Sequence, residues 1–106
     1  MNNKLRRFEI LLPRKYNNGR EIPHQLLGLS LQEVVDKFDA ASFEPVSGEG
    51  YWRHEGILYS DTHAKIVVDI PDTPENIRWM RDYKARWKEL LDQLDLWLIS
   101  YEIDVF

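Results

Sequence analysis

The sequence contains no cysteine. Disulfides, thiolate metal sites and a cysteine nucleophile are thereby excluded, and the absence fits a reducing, cytoplasmic setting. No apolar run approaches the roughly 20 residues that span a bilayer, so no membrane role is expected. Lys4, Arg6 and Arg7 precede only a short apolar stretch that Glu9 breaks, which does not read as a signal peptide. A surplus of positive charge is also missing. Fourteen Lys and Arg against eighteen Asp and Glu give a net charge of −4, whereas nucleic-acid binding needs a basic footprint. The Walker loop, GxGxxG, GxSxG, HExxH, EF-hand and Cys/His zinc patterns are all absent. No cofactor and no metal are expected, and a nucleotide-dependent enzyme or a familiar hydrolase is disfavoured.

What remains is a chain of 106 residues, enough for a single domain over 1–106 with one core. Aromatics at 12% argue against disorder. Charge is uneven: residues 1–20 hold six basic side chains and one acidic, and residues 21–75 hold three basic and eleven acidic. Such an acidic middle can pair internally with the basic N-terminal segment or polarise the surface.

Phe8, Ile10 and Leu12 alternate as one face of a strand that Pro13 should end. Asn17-Asn18-Gly19 signals a turn, and residues 14–29 read as a long connection punctuated by Pro23 and Gly28. Ser30-Leu31-Gln32-Glu33 has the form of a capping box, with Leu29 and Val34 placed as a hydrophobic staple. Leu31, Val34, Val35 and Phe38 then form the apolar stripe of a short helix. Two strands follow between Ser42 and Ile70, the first interrupted at Gly48-Glu49-Gly50. The second buries Ala64, Ile66, Val68 and Ile70. Asp72 or Thr73 should cap a second helix with Pro74 in its first turn. Its core stripe is Ile77, Met80, Tyr83, Trp87, Leu91 and Leu94. A last strand runs from about Leu96 to Phe106.

The order βαββαβ predicts an α+β fold, a ferredoxin-like sandwich. Its four-stranded antiparallel sheet carries two helices on one face, with the first and third strands central. Gly48-Glu49-Gly50-Tyr51-Trp52-Arg53 and Pro71-Asp72-Thr73-Pro74-Glu75-Asn76 together resemble an uncharacterised family of small bacterial proteins. The resemblance spans roughly residues 40–106, and its motifs are structural rather than catalytic. It implies the fold and no chemistry.

A sheet with both helices on one face leaves the other uncovered, with Leu11, Val67 and Leu98 expected to project from it. That points to a non-enzymatic interaction or small-ligand-binding module acting as a homodimer, without nucleic acid or membrane. Trp79, Tyr83 and Leu90 widen the apolar stripe of the second helix; they are either packing against the first helix or a partner surface. Arg78, Arg81, Lys84, Arg86 and Lys88 are interleaved with acids and read as a solvated face. The third strand lacks the aromatics that RNA stacking on such a sheet needs.

A polar site is expected on the hairpin. A tight turn at Gly56-Ile57 would set His54 opposite Tyr59, Trp52 opposite Asp61 and Gly50 opposite His63, so that Trp52, His54, Tyr59, Asp61 and His63 share one face. Imidazole beside carboxylate is the minimum for acid–base work. The alternative function is therefore a small cofactor-independent enzyme of isomerase or lyase type using His and Asp there. A third reading is an electrostatic protein partner for the acidic middle. The register is sensitive, since a one-residue slip inverts every face.

Overall fold

The computed structural model describes residues 4–46, 50–61 and 63–106, except the side chains of Trp52, Tyr59, Ser60 and Asp61. Gly48 and Glu49 of the predicted interruption lie outside the described residues. The described residues form six strands and two helices in the order β1 (Leu5–Pro13), α1 (His24–Phe38), β2 (Ser42–Pro45), β3 (Gly50–His54), β4 (Ile57–Asp61), β5 (His63–Pro71), α2 (Pro74–Leu90) and β6 (Trp97–Ile103). The main sheet has the order β2-β5-β1-β6, all antiparallel. The first and third strands of the βαββαβ scheme, β1 and β5, are central. The fold is the α+β, ferredoxin-like sandwich that the element order predicts.

Alternation decides the layers. Phe8, Ile10 and Leu12 from β1 and Ala64, Ile66, Val68 and Ile70 from β5 are buried on the helix side. Across the layer, α1 contributes Leu27 and Val34, and α2 contributes Met80, Tyr83 and Trp87. Leu91 closes the same core, whereas Leu94, expected in that stripe, is exposed beyond the helix end. The helix stops at Leu90; Asp92 takes a positive φ of 51° and the Gln93 amide donates to the Lys88 carbonyl. That reversal turns the following residues away from the helical phase.

The start of α2 is as predicted: the Thr73 hydroxyl accepts from the Asn76 amide at 3.1 Å and Pro74 occupies the first turn. The start of α1 is not. The helix begins at His24, directly after Pro23, and Ser30 lies inside it. Ser30 is fully buried and its hydroxyl donates to the Leu27 carbonyl at 2.5 Å, so it caps nothing. A serine followed three residues later by glutamate has the pattern of a cap, but Glu33 reaches α2 instead. It accepts from the Trp87 indole at 2.7 Å and pairs with Arg86.

The predicted two-stranded stretch between Ser42 and Ile70 is a hairpin split into two ladders. Phe43 opposes Ile66 in the main sheet, while Trp52 opposes Tyr59 in a separate two-stranded sheet. The register shifts by two residues between them. The turn is Glu55-Gly56, both with positive φ (49° and 79°), rather than Gly56-Ile57. Two left-handed residues are what a two-residue hairpin of type I′ requires, and glycine takes that conformation without strain. His54 therefore opposes Ile57, Trp52 opposes Tyr59, and Asp61 opposes Gly50. The backbone offset from the predicted pairing is two residues, an even number.

β6 covers Trp97–Ile103, shorter at both ends than the predicted strand. Leu98 opposes the buried Ile10 and packs on the core. It belongs to the helix side rather than to the uncovered face; Trp97, Ile99 and Tyr101 project there instead.

Candidate functional site

Among the described residues no helix covers the second face of the main sheet. Its middle is a ladder of charges. Arg7 grips Asp69 with two hydrogen bonds, at 2.7 and 2.9 Å. Lys65 lies 2.8 Å from Glu9 and 3.7 Å from Glu44, and the Tyr101 hydroxyl donates to Glu9 at 2.5 Å. The hydrogen bond and charge of Lys65 hold the Glu9 carboxyl below its ordinary range. That carboxylate in turn pushes the Tyr101 phenol up. The basic N-terminal segment thus pairs internally with the acidic middle, Arg6 with Asp72 (2.9 Å) as well as Arg7 with Asp69.

Around this ladder the face is apolar. Leu11 opposes Trp97, and Glu9 is flanked by Ile99 and Val67. Trp97 is 65% exposed, Tyr101 42% and Ile99 39%. A row of exposed large side chains along an edge strand is the feature that marks association surfaces.

A groove of about 580 Å³ opens at the end of this face. Leu11, Pro13 and Trp97 form its sheet-side wall, Tyr51 and His54 reach it from β3, and His63 stands at the start of β5. The α2–β6 connection closes the other side with Gln93, Leu94, Asp95 and Leu96. Asp95 is committed: one oxygen accepts from the Leu96 amide at 2.9 Å and lies 3.1 Å from the Lys84 ammonium. Gln93 donates its amide to the Leu91 carbonyl at 2.9 Å. His54 lies 3.8 Å from Glu55.

Of the predicted site residues, the groove brings His54 and His63 together. Trp52, Tyr59 and Asp61 have strand backbone on the hairpin, and their side chains are outside the described residues. Tyr51 and Trp97 are lining residues that sequence reasoning did not select, and Leu11, expected on the uncovered face, lines the groove with them. The alternation of β6 carried a signal for Trp97, but the long-range pairing of β1 with β6 was needed to set it beside Leu11. His24 lies apart, in a depression with Arg14, Glu21 and Phe43.

The predicted surface of Trp79, Tyr83 and Leu90 is not one surface. Tyr83 is fully buried, and only Leu90 is well exposed. Trp79 packs edge-on against Phe38 of α1 at 5.1 Å and stacks on Tyr83 at 5.5 Å. The ring closes the seam between the helices, which accounts for an aromatic at that position without a partner. Among the described residues no group of three His, Asp or Glu side chains is placed to hold a metal, and no helix is long and apolar enough to cross a membrane.

No protein-family model matches the chain, and no curated protein does. Solved structures do. A phage SAM lyase in complex with S-methyl-5'-thioadenosine superposes with a TM-score of 0.69 at 11% identity, covering 99% of this chain and 92% of that one. CutA1 from Oryza sativa gives 0.65 at 10% identity, over 97% and 83%. The GlnK–ATP complex of B. subtilis gives 0.52 at 18% identity, over 97% and 84%. The chain is similar to these proteins in fold, and at such identities the fold is what the similarity shows.

Proposed function

We propose that this chain is a non-enzymatic interaction and small-ligand-binding module that works as a homodimer through the uncovered sheet face. The observation that carries the reading is the exposed row Trp97, Ile99 and Tyr101 beside Leu11 and Val67, on a face without a helix. A second copy is the occupant that the charge pattern favours. Arg7 and Lys65 are paired with Asp69, Glu9 and Glu44 on the same face, so a second copy would cover charges already compensated within the chain, which lowers the cost of burying them. Two of the similar structures carry small ligands, ATP and S-methyl-5'-thioadenosine, which supports a binding role for the architecture. One core shared by both helices and the main sheet supports a single domain over 1–106. The absence of cysteine suits the cytoplasm, and the family resemblance suits a bacterium.

Size-exclusion chromatography with light scattering tests the association. A mass of two 12.7 kDa chains is expected at tens of micromolar, falling to one chain in Ile99→Asp. A wild-type monomer at high micromolar concentration overturns the homodimer, and a three-chain mass corrects its stoichiometry.

A second reading, a small cofactor-independent isomerase or lyase, has one observation in its favour: His54 and His63 line the same groove. Chemical conversion of a bound small molecule, seen by mass spectrometry and lost in His63→Ala, would establish it over simple binding.

A further inference from the structure

We propose that the depression between the 14–22 turn, the start of α1 and β2 binds a small monocarboxylate with an apolar body, its carboxylate on Arg14 and its body against Phe43. The assignment rests on the ligand-binding part of the reading above and names a site and a ligand class for it. It does not depend on the homodimer. Phe43 opposes the buried Ile66 and so lies on the helix side of the sheet, away from the surface assigned to the second copy.

The depression is built just beyond the end of β1. The Ile22 amide donates to the Arg14 carbonyl at 2.9 Å and the Tyr16 amide to the Arg20 carbonyl at 2.8 Å, while Lys15 and Glu21 form a bridge. Arg14, Lys15 and Glu21 are thus carried on paired backbone. Ile22 and Leu27, both buried, form the floor, and the exposed His24 of α1 stands beside them. At about 410 Å³ the space lies within the roughly 300–1,000 Å³ of small-molecule sites.

Charge and an open aromatic ring select the ligand. Arg6 and Arg7 of β1 are committed to Asp72 and Asp69, whereas Arg14 and Lys15 form no ion pair among the described residues. Glu21 opposes Lys15 across the bridge and offsets it, which leaves Arg14 as the net cation. One guanidinium matches one carboxylate, which it can hold with two parallel hydrogen bonds. The His24 ring offers a further N–H in either protonation state. Phe43 is 40% exposed although it faces the side on which Ile66 is buried. An uncovered ring beside a cation suits an apolar or aromatic body.

The same groups turn other ligands away. A phosphate dianion would bring a second negative charge near Glu21. A cation would meet Arg14 and Lys15. A purely apolar molecule would cover Arg14 without a counter-charge, which costs free energy.

Phenylacetate is the probe, and the three histidines of the chain report where it binds. In an NMR titration at constant pH the His24 ring signals should move saturably, with half-saturation at about 1 mM, while those of His54 and His63 stay fixed. Arg14→Gln should weaken binding at least about tenfold, the loss of a charge-assisted hydrogen bond. Phe43→Ala should weaken it at least about threefold, through the lost apolar contact. Phe43→Leu should retain most of the affinity, and it keeps the test open where the alanine variant fails to fold. Phenylethanol lacks the charge, acetate lacks the ring and phenyl phosphate carries a second charge, so each should bind more weakly. A fixed His24 signal at about 10 mM phenylacetate, equal shifts at all three histidines, unchanged affinity in Arg14→Gln, or an analogue that binds as tightly would each overturn the assignment. Signals that move at His54 and His63 in place of His24 would keep the ligand-binding reading and overturn this site. Light scattering on the same samples separates the site from the homodimer. A monomer that binds phenylacetate in this way sinks the homodimer alone, and a dimer with a fixed His24 signal sinks this site alone.

Discussion

The Tyr83 hydroxyl donates a hydrogen bond to the Ser30 carbonyl at 3.0 Å, joining α2 to α1 through two fully buried residues. Burial pushes the Tyr83 phenol well above its ordinary range, so it is a neutral donor at neutral pH. The contact explains why a small residue stands at position 30, where the tyrosine closes on the helix backbone. Tyr83→Phe should therefore cost about 0.5–1.5 kcal/mol, the net value of one hydrogen bond. Ser30→Ala should be nearly neutral in the same urea melts, because the Ser30 carbonyl is retained. A loss of about 1 kcal/mol or more in Ser30→Ala would mean that the hydroxyl's bond to the Leu27 carbonyl contributes net stability of its own.

Trp87 is the largest aromatic of the α2 core stripe and, at 4% exposure, fills the space between α2 and α1. Its indole also donates to Glu33. Trp87→Ala should cost about 3–5 kcal/mol, from the lost ring and the cavity it leaves. Trp87→Phe should cost less and should remove the coupling to Glu33. In a double-mutant cycle with Glu33→Gln, a coupling near zero in urea melts would mean that the indole–carboxylate contact contributes nothing.

Periodicity was legible wherever one face of an element is buried and the other wet. β1, β5 and α2 satisfy that condition, and their buried faces and the start of α2 follow from Phe8-Ile10-Leu12, Ala64 to Ile70 and the Thr73 cap, whereas the stripe carried α2 on to Leu94, past its end at Leu90. It failed at α1, because Ser30 and Glu33 have the residue types of a cap but serve contacts with Tyr83 and Trp87 more than fifty positions away. At β6 an edge strand carries apolar residues on both faces, so alternation alone could not say whether Leu98 or Trp97 met the core. The groove was half visible. His54 and His63 were marked by their neighbours, but the two-residue shift between the hairpin ladders and the long-range pairing of β1 with β6 leave no local trace.

Acid should weaken the fold from a defined set of groups. Arg6 holds the Asp72 carboxyl, and Lys65 the Glu9 carboxyl, below their ordinary values. A carboxyl depressed in the folded state contributes stability that is fully present above its unfolded pKa and is lost as pH falls through the folded value. Urea midpoints should hold level from neutrality to about pH 5 and decline below about pH 4, the ordinary carboxylate range. Lys65 works in the opposite sense. Glu9 raises it, so its contribution is complete below the ordinary lysine range and fades as pH rises through the folded value. The double variant Glu9→Gln, Asp72→Asn should start less stable and lose less on acidification. An acid slope as steep as that of the wild type would assign it to other carboxylates.

Trp79 distinguishes internal packing from association. Its ring lies between Phe38 and Tyr83, edge-on to the first and stacked on the second, and it is partly buried against the core. Aromatic pairs contribute about 0.5–1.5 kcal/mol beyond the area they bury, and this ring makes two such pairs. Trp79→Ala should thus destabilise the fold by about 2–4 kcal/mol, somewhat below the full cost of a completely buried tryptophan. Self-association, measured by light scattering at a temperature where the variant is still folded, should be unchanged, because the surface assigned to the second copy lies on the opposite side of the sheet. Trp97→Ala should show the reverse pattern, a small change in the urea midpoint and a clear loss of association. If Trp79→Ala separates the subunits while leaving the midpoint where it was, the helix layer rather than the open sheet face carries the contact between copies.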